Sequence, residues 1–395
     1  MRFKSICNIM DKNGLFSGIS RNVVLLGLVS LFTDMSSQMV FPLLPLYLTG
    51  VLGAGVYVVG IVEGAAQASA SLFKLVSGYW SDRLGRRKVF ILVGYTLCAV
   101  TKPLLAFANV WTTVLVVRVV ERIGKGVRTA PRDAIVAEST DQQYRGRAYG
   151  FHRSMDGVGS MAGAMLAYLL LLSLDYRDIF LLALIPGILA VFFIIFVREE
   201  DHPVMERTSS MTGSFRDLPS GLRLFILVAS VFALGHFGYA FLLLKAVDVG
   251  LPDQGALLMY VIFYLVYTLC TVPAGVVSDK VGRRPVLMTG YLLFALVAGV
   301  SMVVTSATGV LGVFILYGVF FALIDGSQRA FVVDLAPPHL KATALGAFHA
   351  AVGLVALPGG MIAGMLWDAF GPGMTFAYGS VLAVAALLMF MFVKD

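Results

Sequence analysis

Seven ionisable side chains fall within sixteen residues of an otherwise apolar stretch: Arg118, Glu121, Arg122, Lys125, Arg128, Arg132 and Asp133. On a helix turning about 100° per residue they share one arc of about 140°, and the rest of the circumference is apolar. Five cations against two carboxylates leave that face positive, and Glu121 can pair with Lys125 at i,i+4. A face of this kind has two uses. It can line a wet cavity that draws in an anionic group, or it can close into salt bridges with Glu121, Asp133 and Asp156. Arg118 and Arg122 lie deepest and are read as cavity residues. Arg128 and Arg132, nearer the end of the stretch, are read as snorkelling or pairing with the adjacent loop.

Other narrow polar faces accompany this one. Asp34, Ser37 and Gln38 stand at i, i+3 and i+4, while Glu63, Gln67 and Lys74 fall within about 40° on their own wheel. A carboxylate beside Arg118 or Arg122 can exchange a proton as a cavity opens and closes, which makes Asp34 and Glu63 candidate proton-coupling residues. The alternative for both is a permanent salt bridge between helices. In the second half His236 and Tyr239 share a helical face, Tyr260, Tyr264 and Tyr267 follow helical spacing, and Asp325, Gln328 and Arg329 cluster. Gln38, Gln67, His236, Tyr239, Asp325 and Arg329 join Arg118 and Arg122 as candidate substrate-binding residues. No catalytic residue is identified, because no Gly-x-Ser-x-Gly elbow, phosphate loop or His-Glu-x-x-His motif is present. Cys7, Cys98 and Cys270 lie far apart with no metal-ligand spacing, so no metal and no cofactor are expected.

The elements that carry these residues follow from composition. Of 395 residues 58% are hydrophobic and only 13% charged, against about 25% charged in a soluble domain. A soluble enzyme, a disordered chain and a disulfide scaffold are thereby excluded. A bilayer core needs roughly 20 apolar residues per helix, and the chain offers twelve such stretches: 22–48, 56–79, 88–108, 110–133, 147–172, 178–197, 222–246, 256–277, 285–305, 309–333, 343–367 and 373–393. All are too long for the alternating strands of a barrel. The first twenty residues lack the apolar core of a cleavable signal peptide. The net charge of +7 reflects orientation rather than nucleic acid, since the cations sit between apolar runs. Arg2, Lys4, Lys12, Arg21, Arg83, Arg86, Arg87, Lys88, Arg145, Arg147, Arg198, Arg207, Arg216, Arg223, Lys280, Arg283, Arg284, Lys341 and Lys394 all fall on one side. Little beyond Arg177 and Lys245 falls on the other. Both termini are therefore expected to be cytoplasmic, in a multi-pass protein of the plasma or bacterial inner membrane.

The chain is internally repeated. Gly78-Tyr-Trp-Ser-Asp82-Arg83-Leu-Gly85-Arg86-Arg87 returns 197 positions later as Gly275-Val-Val-Ser-Asp279-Lys280-Val-Gly282-Arg283-Arg284, with six of ten positions identical. Gly94-Tyr95 and Ala148/Gly150 return as Gly290-Tyr291 and Ala344/Gly346, each displaced by 196. Duplication of a six-helix unit predicts this offset. The expected fold is all-α and integral to the membrane, with twelve transmembrane helices in two pseudo-symmetric six-helix bundles, 1–197 and 222–395, joined by a cytoplasmic linker, 198–221. The repeated loop resembles the signature loop of the major facilitator superfamily. Arg122-x-x-x-Gly126 looks like that family's second motif, and Pro42-x-x-Pro45 like its exporter-type Pro-x-x-Pro. The resemblance implies that Gly78, Asp82, Arg83, Gly85, Arg86 and Arg87, with Gly275, Asp279, Gly282 and Arg283, form a latch between the halves in the outward-open state. One feature departs from the exporter pattern. The span at 147–172 has Gly150, Gly157, Gly159 and Gly163 but lacks the usual Gly-Pro, and those glycines are read as close helix packing.

The expected function is a secondary transporter working by alternating access. Its partners would be protons, the lipid bilayer and a small, anionic or amphiphilic organic solute moved by export. A monomer suffices for that mechanism. Two alternatives stand beside it. A divalent-metal exporter would use Asp34 and His236, whose placement resembles ferroportin-like members, though no Cys/His cluster supports it. A non-transporting membrane sensor or enzyme on the same scaffold would need a motif that the chain lacks.

Overall fold

The computed structural model describes residues 19–84, 86–141, 144–199, 217–337 and 340–393, with the side chains of Tyr79, Asp82 and Ala342 left out. Twelve long helices follow one another in the order α1 Arg21–Val51, α2 Val56–Leu84, α3 Arg87–Phe107, α4 Trp111–Glu138, α5 Arg145–Leu171 and α6 Tyr176–Ile195, then α7 Ser220–Asp248, α8 Asp253–Val281, α9 Arg283–Val303, α10 Ala307–Leu335, α11 Lys341–Phe370 and α12 Pro372–Phe390. Eleven are long and apolar enough to cross a membrane. The twelfth, α4, has the length, but its charged stripe breaks the apolar run. Alternation of direction puts the ends of α2 and α8, with their repeated basic loops, on the same side. We refer to this side as the basic end.

Contacts repeat between the halves. In the first half α1 packs on α5, α2 on α4 and α3 on α6; in the second α7 packs on α11, α8 on α10 and α9 on α12. Even an ion pair is duplicated. Arg87 pairs with Glu138 at the basic end of α4, and 196 positions on Arg283 pairs with Asp334 at 2.5 Å. These arginines of the repeated loops thus tie neighbouring helices within one half. Asp279 is largely exposed and reaches only Arg283, at 4.0 Å. Gly85 and the side chain of Asp82, both expected in the latch, lie outside the described residues, as do positions 200–216 of the linker.

The glycines of α5 act partly as expected. A Cβ on Gly159 or Gly163 would come within 2.2 or 2.3 Å of carbonyl oxygens of α1, whereas Gly150 and Gly157 face open space. The first two therefore set the close approach of α1 and α5. Two helices are irregular. Pro42 and Pro45 interrupt the hydrogen-bond ladder of α1, which passes through 3₁₀ geometry at Phe41–Leu43 and a π turn at Tyr47–Val51. In α7 the regular helix stops at Gly235 and restarts at Tyr239, with His236 extended at φ −78°, ψ 91°. His236 and Tyr239 therefore do not share one continuous helical face. The expectation fails because two glycines, Gly235 and Gly238, let the backbone leave the helix between them.

The halves meet most closely at the end opposite the basic loops. There α2 and α11 cross through Gly60 and Gly360, and a Cβ on Gly60 would lie 1.9 Å from the Gly360 carbonyl oxygen. The crossing continues at Gly364, which abuts Tyr57. Asp368 of α11 then accepts hydrogen bonds from the backbone N–H groups of Val56 and Tyr57, each at 2.9 Å, covering the start of α2. Gly60→Ala should force this seam apart. In a background without native cysteines, a cysteine at Leu357 should then react several-fold faster with a polar thiol reagent. An unchanged rate would show that the seam accommodates a methyl group.

Candidate functional site

A cavity of about 620 Å³ lies between the halves, in the part of the protein toward the basic end. Its wall is built from the middle of α1, α2 and α7, the second halves of α4 and α10, and the early turns of α5 and α11. Lys74, Arg122, Lys125, Arg128, Arg132, Arg153 and Arg329 supply seven cations, against the four carboxylates of Asp34, Asp133, Asp156 and Asp325. All but two of these eleven come from α4, α5 and α10. The cavity is positive because α4 turns its stripe inward: facing lipid, those charges would have neither water nor partners.

Some charges are consumed in pairs. Arg132 donates to Asp133 at 2.8 Å. Asp156 accepts from Ser30 of α1 and lies 3.6 Å from His152 and 3.5 Å from Arg153. Arg153 then crosses to the second half, where it meets Asp325 at 2.7 Å; Arg329 holds the same carboxylate at 2.7 Å and Tyr267 donates to it at 3.2 Å. Arg153 is thus the cation that joins the halves across the cavity. The helical-wheel reading does not single it out, although a charge three residues before Asp156 inside an apolar span is the available signal. A second crossing sets Lys74 Nζ of α2 3.3 Å from His349 Nε2 of α11.

Other charges are free to act. Asp34 has no hydrogen bond or ion pair among the described residues, and it faces Asp156, Lys125, Arg128 and Arg132. Lys125 likewise has no side-chain partner there. Arg122 Nε has no hydrogen-bond partner and lies 3.6 Å from Glu121. Arg128, 2% exposed, lays its guanidinium over the Tyr95 ring at 4.0 Å and leaves Nε and Nη1 unpartnered. Both Arg128 and Arg132 therefore line the cavity, where the sequence suggests snorkelling or loop contacts.

The deeper residues divide. Arg122, Gln67, His236, Asp325, Arg329 and Asp34 are brought to the cavity wall, whereas Arg118, Glu63, Gln38 and Tyr239 are not. Arg118 is enclosed, 1% exposed, and forks onto Glu63 at 3.0 and 3.3 Å while reaching Glu121 at 3.1 Å. Its guanidinium also lies 3.6 Å from the centre of the Phe41 ring. A guanidinium without water needs such partners, so Arg118 and Glu63 tie α4 to α2 beside the cavity. Gln38 donates to Tyr264 at 2.5 Å and accepts from Tyr260 at 2.8 Å, bridging α1 to α8. Tyr239 stacks near Tyr260, with ring centres 4.8 Å apart. His236 sits in an aromatic nest of Phe232, Phe294, Tyr317 and Phe320. Among the described residues no three His, Cys, Asp or Glu side chains converge to hold a metal.

Two related six-helix halves around a polar cavity, closed at the far end, define a membrane-transporter architecture. The profile of the Major Facilitator Superfamily matches residues 26–259 and 223–395, and the chain belongs to that family. An uncharacterised MFS-type transporter of Methanocaldococcus jannaschii is 36% identical over 394 residues, covering 98% of each chain. A probable 4-methylmuconolactone transporter of Cupriavidus pinatubonensis is 26% identical over 316 residues, covering 73% of this chain and 70% of its own. Among solved structures, a point mutant of the nucleoside transporter NupG superposes with a TM-score of 0.79 at 15% identity, covering 95% of this chain and 100% of that one.

The buried triad makes a graded prediction. Arg118→Ala strands two carboxylates and should cost about 3–5 kcal/mol, read as loss of melting stability in detergent. Glu63→Gln should cost less, because the Glu63 side chain keeps 24% exposure whereas that of Glu121 keeps 2%. Equal, small losses for both variants would show that the triad is not a structural tie.

Proposed function

We propose that the protein is a secondary active transporter working by alternating access, and that it exports a small organic anion in a proton-coupled cycle. The observation that carries this reading is the excess of cations in the cavity: seven against four carboxylates, three of which are already paired. In a poorly hydrated space an uncompensated cation attracts an anionic solute strongly. Arg122, on the cavity wall, offers its guanidinium to the solute. Asp34, the unpaired carboxylate on the same wall, is the proton carrier: its protonation removes a negative charge from the wall and so favours an anion at Arg122.

Alternating access is supported by how the halves touch. The far end is held by the glycine crossing of α2 and α11, by the Asp368 contacts, and by a hydrogen bond from Tyr176 to Asp253. The cavity lies toward the basic end, which the distribution of Lys and Arg assigns to the cytoplasm. Cytoplasmic solute would therefore meet Arg122 in this conformation. The exporter direction also draws on Pro42 and Pro45. The repeated loops are proposed as the opposing latch, engaged when the cavity faces out, so Asp279 stands away from the other half here. The metal-exporter alternative finds no donor set among the described residues, where His236 is packed among aromatic rings.

In proteoliposomes with an imposed pH gradient, Arg122→Gln should reduce gradient-driven flux of organic anions at least tenfold, and Arg122→Lys should restore part of it, because an ammonium lacks the guanidinium fork. Asp34→Asn should leave downhill solute exchange but remove its response to the gradient. Unchanged flux and pH response in both neutral variants would overturn the reading.

A further inference from the structure

The anion reading leaves the charge of the solute undefined, and the cavity carries information about it. We propose that the site takes a dianion, with dicarboxylate or phosphate-type chemistry, at a subsite formed by Arg122, Lys125 and Arg128 of α4; this rests on the anion-transport reading above.

Uncompensated charge and unmet hydrogen bonds coincide on this wall. Asp133, Asp156 and Asp325 are held by Arg132, Arg153 and Arg329. Lys74 rests against His349. Arg122, Lys125 and Arg128 remain, spaced three residues apart and covering about 9 Å of helix axis. Glu121 is shared between Arg118, at 3.1 Å, and Arg122 Nε, at 3.6 Å; with Glu63 also on Arg118 these four groups balance in charge, so Lys125 and Arg128 carry the uncompensated charge of the stripe. Arg128 is the more telling group. At 2% exposure it has Nε and Nη1 unpartnered, the face of its guanidinium is covered by Tyr95, and it lines the cavity. Nε and Nη1 are themselves enclosed, so Arg128 acts on a solute in the cavity through its charge.

A monocarboxylate has two oxygens and one charge, enough for one guanidinium fork. It would offset only one of the two uncompensated cations, Lys125 and Arg128. A dianion spans the stripe and offsets both. Asp34, which has no ion pair among the described residues, faces Lys125, Arg128 and Arg132 from α1, and when protonated it leaves both uncompensated cations to the solute. On the second-half side Phe232, Phe320, Phe321 and Phe348 line the cavity beside the paired Asp325 and Arg329 and suit a compact carbon body.

The test uses the full chain in nanodiscs and calorimetric affinities for two skeleton-matched pairs, butyrate with succinate and benzoate with phthalate. Within each pair the dianion should bind at least tenfold more tightly. That advantage should fall below threefold in Lys125→Gln and in Arg128→Gln, and it should persist in Lys125→Arg, a variant that keeps the charge and shows that the fold is intact. Equal affinities within both pairs would overturn the dianion subsite while leaving the anion reading in place. A dianion preference that survives both neutral variants would place the subsite elsewhere and overturn this assignment. No binding of any of the four acids would overturn the anion reading together with the subsite.

Discussion

A charge inside a bilayer must have water or a partner, and in this protein that constraint falls mainly on α4. Its stripe cannot face lipid, so α4 turns inward, where α2 meets it with Glu63 and α5 contributes Asp156 and Arg153. The cavity is what remains between these inward-facing charges and the second half. Charges that found protein partners became ties between helices; the remainder still present themselves to water or solute.

Helix packing is arranged around the same need. Where no charge must be housed, the halves approach until backbones touch, as at Gly60 and Gly360. Where charge is dense, paired polar groups join the halves across the cavity, Arg153 with Asp325 and Lys74 with His349, while α2 and α11 stay packed at its edge through Ser71 and Gly353. Apolar packing in a membrane has no hydrophobic effect to drive it, and small residues with close contact take its place. The closed and open ends of the molecule thus differ in composition before any movement is considered.

Much of the fold was legible because span length and apolarity are properties of single segments, and the 196–197 offset relates one half to the other without coordinates. The site was legible only in part. On a helical wheel Arg118 and Arg122 look alike, since both occupy the polar arc of α4; what separates them is Glu63, which belongs to another helix and claims Arg118. The pairing of Arg153 with Asp325 joins positions 172 residues apart, and no local periodicity contains it. The fourth apolar stretch ends at 133 although α4 runs to Glu138, because Arg132 and Asp133 break the apolar run ahead of Ala134, Ile135, Val136 and Ala137. The break in α7 is written in Gly235 and Gly238, yet a continuous apolar run masks it.

That break has a counterpart. Gly238 lies 197 positions after Phe41, where α1 leaves regular α-helical geometry. The two helices at the centre of the molecule are therefore jointed at the same depth, once by prolines and once by glycines. A jointed rod yields at its joint before its ends swing. Closure over a solute can accordingly proceed by flexing one segment of α1 and one of α7, with the outer helices of each half serving as a fixed frame.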